Sequence, residues 1–283
     1  MIRQIDAHYI AAEIRLWRQA HKGAILVVEG DDDGKVFERF AHDACGIQIG
    51  FGKLNVVGAL DLLEDEGIPG VVAVVDADFD RLLEVDHALE GLHLTDLHDL
   101  DLTIFFSDAL RVYLREYADD KLYKRTFGHS LDAVRAAIMK ACVPIGYCRL
   151  VSEKRGYRLD FKDLRYDQFV RPDLTFDWKA FTSEIAGRPG AKCDAAQLEK
   201  QAVELGLKRY DETQLVNGHD VAAVLGVALR SLLGCRRVQQ TWGSEVEAGL
   251  RLAFDHAAMS TTKLYAEIVN WQSARPEYVA LRT

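Results

Sequence analysis

The sequence predicts an α/β protein: a parallel sheet flanked by helices, continued by a mainly helical region that carries a small β element. Two short apolar runs, Ala24–Val28 (AILVV) and Val71–Val75 (VVAVV), lack the polar alternation of a half-exposed sheet and read as strands buried on both faces. Each stops abruptly on acids, EGDDD at Glu29–Asp33 and DADFD at Asp76–Asp80. Strand and helix patterns then alternate with short links, as the crossovers of a parallel sheet require.

Taken in order, Ile2, Ile5, Ile10, Ile14 and Trp17 suit an amphipathic helix over residues 1–23, ahead of the first strand at 24–28. A helix follows at 33–44. Of two extended pieces, 46–50 and 53–57, the second (KLNVV) is the better second strand. Gly58 then opens a helix that Gly67 and Pro69 close. The third strand is Val71–Val75, a helical or irregular stretch covers 81–90, and Leu92–Thr95 is a fourth strand ending on Asp96. Residues 98–120 read as one long helix, and Ser130–Cys142 as another. The stretch 143–171 reads as extended and basic, and helices recur at about 177–187, 194–206, 218–234, 243–256 and 261–274. This gives an N-terminal helix (1–23), an α/β domain (24–118) and a helical region (119–283) with the basic β insertion at about 143–171.

Composition narrows the class. A formal net charge of −9 argues against a chain that merely coats nucleic acid or an anionic membrane, although an acidic, metal-loaded site beside a basic groove still binds phosphate. The five cysteines are odd in number and lack the close spacing of a zinc knuckle, so reduced thiols are expected. There is no apolar signal core and no run approaching the roughly 18 residues of a membrane span. A soluble, cytoplasmic protein is the expectation.

The acids carry the chemistry. In open parallel sheets ligands bind beyond the carboxyl ends of the strands, where acids from neighbouring strands meet. Asp76 and Asp78, two apart on an exiting loop, can both reach one Mg²⁺ (or Mn²⁺) ion. Glu29 from the adjacent strand can complete the shell or act as general base on an attacking water. Asp33 and Asp80 are further candidate ligands, and Asp96, His98 and Asp99 are candidates for orienting them. Asp31, Asp32 and Asp43 read as turn and capping residues. An EF-hand at Asp76–Asp78–Asp80 is excluded, because Arg81 stands at its glycine and His87 at its bidentate glutamate. His98–Asp99 and His219–Asp220 spell the His–Asp doublet of metal phosphohydrolases, a pairing that is common by chance.

VVEGDDD followed by VVDADFD resembles the E-G-x-x-D and D-x-D motifs of the Toprim superfamily, which includes topoisomerases, primases and OLD-type nucleases. TDLHDLD (95–101) and VNGHDVAAVL (216–225) resemble a Toprim family first catalogued as a domain of unknown function. That family includes the nuclease subunit of PARIS-type anti-phage systems, which works with a separate ABC-type ATPase. The resemblance covers most of the chain. It implies a Rossmann-like Toprim sheet, a catalytic glutamate at Glu29, metal-binding aspartates at Asp76 and Asp78, and a supporting ligand at Asp33. It further implies Mg²⁺-dependent cleavage of nucleic acid, RNA such as tRNA ahead of DNA, control by an ABC-type ATPase partner, and a homodimer when active. Asp101 stands where the family motif has glutamate, a departure that puts a catalytic role for it in doubt.

Between 149 and 171, Arg149, Lys154, Arg155, Arg158 and Arg165 are interleaved with Tyr157, Phe161 and Tyr166. Basic groups for phosphates and aromatics for unstacked bases suit a single-stranded nucleic-acid surface, and a solvated hairpin is the plain alternative. The rival function is a non-catalytic module that holds or recruits the ATPase.

Overall fold

The computed structural model describes residues 5–283. Helix α1 (Ala7–Ala20) is capped by Asp6, whose carboxylate accepts from the Tyr9 N–H; Ile2 lies outside the described residues. Then come β1 (Ile25–Val28), α2 (Asp31–Phe37), β2 (Gly46–Ile49), α3 (Lys53–Asp65), β3 (Val71–Val75), the single turn α4 (Asp80–Leu83) and β4 (Leu92–Leu94). The four strands form one parallel sheet in the order β2-β1-β3-β4, with Ile25 opposite both Gly46 and Val71. The two acid-ended runs, β1 and β3, are therefore neighbours at its centre, and every one of their residues is buried.

Ile10 and Ile14 of α1 and Val56, Ala59, Leu60 and Leu63 of α3 pack on one face of the sheet, against Ile25, Val27, Val71, Ala73 and Val75. On the other face Gly34 of α2 lets the helix lie close to Ile49 and Val28; a Cβ there would sit 2.7 Å from Ile49 Cδ1.

The second strand is thus 46–49, and KLNVV opens a helix. Phe51 and Gly52 take left-handed backbone angles (φ 54° and 110°), which turns the chain sharply between strand and helix. The burial of Val56, Ala59, Leu60 and Leu63 follows helical spacing, which two adjacent valines had obscured. Helix α2 is also shorter than expected, since the chain leaves it in turns after Phe37, and 84–91 is irregular beyond α4.

Contact clustering divides the chain into two compact units. The first holds the chain up to Asp80, Glu84–Leu100 and Asp255–Thr283; the second holds Arg81–Leu83 and Asp101–Phe254. The expected boundary at 118 is replaced by one between Leu100 and Asp101, and the N-terminal helix is part of the sheet unit rather than separate from it.

The second unit comprises most of α5 (Leu100–Phe106), then α6 (Ala109–Tyr117), α7 (Asp120–Phe127), α8 (Leu131–Arg155), α9 (Trp178–Ala186), α10 (Ala195–Gly206), α11 (Glu212–Leu215), α12 (Gly218–Ser231) and α13 (Gly243–Ala253). The single helix expected at 98–120 breaks between α5 and α6, where the Ser107 hydroxyl donates to the Ile104 carbonyl and accepts from the Ala109 N–H. The expected β insertion is absent. Helix α8 runs through Pro144 to Arg155, with Ile138, Cys142, Ile145 and Cys148 buried along it. Gly146 lets it approach the Leu215 carbonyl, which a Cβ would meet at 2.7 Å. Residues 156–177 are irregular apart from one 3-10 turn at Tyr166–Gln168 and one antiparallel bridge, Val170 to Phe176.

The chain returns to the first unit as α14 (His256–Met259) and α15 (Lys263–Ser273). No helix among the described residues is long and apolar enough to cross a membrane, and the five cysteines are free thiols.

Candidate functional site

Because β1 and β3 are adjacent and in register, Glu29 and Asp76 leave the sheet side by side. The Glu29 carboxylate accepts the Asp76 N–H at 3.3 Å, and Asp76 in turn accepts the Leu100 N–H at 3.0 Å. Asp33 folds back on the first turn of α2, its carboxylate 3.0 Å from the Gly30 N–H. Burial raises the Asp76 carboxyl well above the ordinary carboxylate range, and the charges of Asp99, Asp33, Glu29 and Asp78 raise it further. Burial also raises Glu29, against the pull of the Asp76 and Lys53 N–H groups. Asp99 is thus a member of the charged cluster itself.

Lys53 was not foreseen here. Its ammonium lies 2.7 Å from the Asp76 carbonyl oxygen, 3.0 Å from Asp78 Oδ2 and 2.7 Å from Asp80 Oδ2. Burial disfavours its charge, but Asp80 and Asp78 outweigh that and the net shift is upward. Asp80 also meets His87 Nε2 at 2.7 Å. The last two acids of DADFD, Asp78 and Asp80, are therefore engaged by a tethered cation, unlike the carboxylates of Glu29 and Asp76. Asp78 sits at φ 48° with its N–H on the His98 carbonyl, 2.6 Å away. That left-handed turn aims Asp78 away from the line of the strand.

Asp96, expected to orient the other acids, instead caps α15. Its two oxygens accept the Lys263 and Leu264 N–H groups at 2.8 Å each. His98 and Asp99 are buried, with the His98 ring packed edge-on to Phe79 at 4.9 Å. Asp31 and Asp32 are exposed in the first turn of α2, as turn and capping residues would be.

In the second unit, the His219–Asp220 doublet separates, as neighbours on a helix face different ways. Asp220 is fully buried; it accepts a bidentate pair from Arg149 (2.9 and 2.7 Å) and the Tyr166 hydroxyl at 2.5 Å. Arg149, whose guanidinium also lies 4.5 Å from the Phe161 ring, is thereby removed from the proposed nucleic-acid surface. Lys154, Arg155, Arg158 and Arg165 are exposed, as that surface requires. His219 faces Asp101 and Glu247. Among the described residues, these three bring metal-ligating atoms within 4.8 Å of one another.

Lysine 53 was hidden by the strand reading of KLNVV, and its nearness to Gly52 is the signal that places it at a helix start. Glu247 has one local signal, its i,i+4 spacing to Arg251, whereas its contact with His219 is made between two helices. No protein-family model matches this chain, and no curated protein matches it.

Proposed function

We propose that the chain is a Mg²⁺-dependent nuclease of the Toprim type, with Glu29 and Asp76 as its essential pair. The observation that carries this reading is the pairing of Glu29 and Asp76 at the ends of two buried, adjacent parallel strands, amid the charges of Asp33 and Asp99. Buried like charges of this density suit a divalent cation, which offsets the repulsion that raises Asp76. Glu29 and Asp76 would hold the ion, with Asp33 and Asp99 beside them; Asp78 and Asp80 join only if Lys53 yields. When bound, Mg²⁺ would supply charge stabilisation to the phosphate and acidify an attacking water. Glu29, with its raised carboxyl, is suited to accept that water's proton near neutral pH. Exposed Lys154, Arg155, Arg158 and Arg165 would hold backbone phosphates.

The wider reading rests on the sequence motifs: RNA such as tRNA as substrate, a role in anti-phage defence, an ABC-type ATPase partner and an active homodimer. The test is incubation of the purified protein, alone and with its ATPase partner, with total RNA and plasmid DNA in Mg²⁺, Mn²⁺ or chelator. Cleavage should appear with metal and fall about 100-fold or more in Glu29→Gln and Asp76→Asn variants that keep parental circular dichroism. Folded variants that cut at the parental rate would overturn it.

The Lys53 contacts favour a second reading, a binding module whose acid cluster is neutralised internally and performs no chemistry. It predicts a stable complex with the ATPase and no metal-dependent cuts with or without that partner.

A further inference from the structure

Asp101, His219 and Glu247 come from three helices, the successive α12 and α13 and the distant α5. His219 Nδ1 lies 2.7 Å from Glu247 Oε1 and 3.8 Å from Asp101 Oδ2. The remaining carboxylate oxygens are held from behind by Arg251, which donates from Nε to Asp101 Oδ1 and from Nη2 to Glu247 Oε2, each at 3.0 Å. Arg251 thus orients both carboxylates, as outer hydrogen bonds do for the ligands of metal centres. It also compensates part of their negative charge. An arginine can bridge two acids without an imidazole. Yet the imidazole of His219 turns its Nδ1 onto the two oxygens that Arg251 leaves facing it. His219 and Glu247 also line a cleft of about 760 Å³, whose rim carries Lys162, Phe161 and Ser244.

We propose that Asp101, His219 and Glu247 form a second metal site, distinct from the strand-end acids, for a first-row divalent cation of which Zn²⁺ is the best fit. One imidazole nitrogen and two carboxylate oxygens suit such an ion better than Mg²⁺, which prefers an all-oxygen shell and keeps its waters. Binding replaces the contact between His219 Nδ1 and Glu247 Oε1, with the imidazole neutral and its proton on Nε2. The exposed His219 stands on the first turn of α12. Three protein donors leave at least one position open to the cleft, the arrangement of a site that binds a further ligand rather than a closed structural centre.

The test is calorimetric titration of the full, chelator-treated chain with ZnCl₂ and with MgCl₂, followed by Co²⁺ absorption spectroscopy. One Zn²⁺ should bind, at least about tenfold more tightly than Mg²⁺, and both His219→Ala and Glu247→Gln should weaken it about tenfold or more. The Co²⁺ spectrum should lack a thiolate charge-transfer band, since no cysteine is a ligand. Asp76→Asn should leave Zn²⁺ affinity unchanged, so the site stands or falls independently of the proposed nuclease centre. Unchanged Zn²⁺ affinity in both ligand variants, or a thiolate spectrum, would overturn the assignment.

Discussion

Glu29, Asp76 and Lys53 divide one acidic patch into two electrostatic states. A carboxyl with a raised folded value contributes stability that is fully present below its unfolded value, about 3.9 for aspartate, and lost as pH rises through the raised folded value. In chelator, the crowded Asp76 carboxyl therefore weakens the fold as pH rises above that unfolded value. Asp76→Asn should raise the neutral-pH Tm by a few degrees, about 2–4 °C per kcal/mol, and flatten its fall as pH rises above about 4. It should also blunt the stabilisation that Mg²⁺ gives the parent. Thermal melts across pH, with and without metal, decide it; a variant Tm equal to or below the parent's in chelator goes against it. Lys53→Met acts oppositely. It leaves Asp78 and Asp80 facing each other without the ammonium and should cost about 1–3 kcal/mol in chelator, with millimolar Mg²⁺ recovering part of the loss. At this scale the meeting of Glu29 and Asp76 was legible, because the two buried runs they end pair side by side in one sheet. Lys53 was not, because its role depends on a three-dimensional turn at Phe51–Gly52.

Among the elements, α8 and α12 are joined by the buried Arg149–Asp220 pair, with Tyr166 from the 3-10 turn as third member. Removing one partner of such a pair strands the other charge. Asp220→Ala should therefore cost about 3–5 kcal/mol in denaturant unfolding, well above the loss for an exposed acid such as Asp132. Gly226, midway along α12, meets the Thr241 backbone so closely that a Cβ would lie 2.1 Å from its carbonyl oxygen. Gly226→Ala should cost about 1–3 kcal/mol despite the better helix propensity of alanine. The helices α9, α10, α12 and α15 were readable within a few residues, because apolar spacing and Asp, Asn or Thr caps agree at their starts. The basic β insertion was misread for a physical reason. Pro144, Gly146 and Gly156 punctuate the sequence like turns, yet Gly146 serves close packing and Gly156 ends the helix at φ 62°.

At the scale of the whole molecule, the sheet unit is completed by 255–283, a segment that follows the entire helical unit in sequence. Parallel strands and crossovers were visible in residues 24–96, but no pattern in a sequence announces that a distant helix will be capped by Asp96. Replacing 101–254 with a short flexible linker should leave a cooperatively melting α/β unit, since Asp96 already brings residues 96 and 263 together. Circular dichroism and a thermal melt of that shortened chain test this, and a non-cooperative melt would count against the division into units.

The Asp96 cap also bears on biosynthesis. Chains generally fold from the N-terminus as they emerge from the ribosome, at about 5–20 residues per second. The strands and their acids emerge first, but the loop carrying Asp96, His98 and Asp99 gains its helix only after 101–254 has been made. A nascent chain stalled before residue 263 would hold the sheet while lacking the contact that fixes this loop. Fixing of the loop that carries Asp96, His98 and Asp99 is thereby tied to translation through α15.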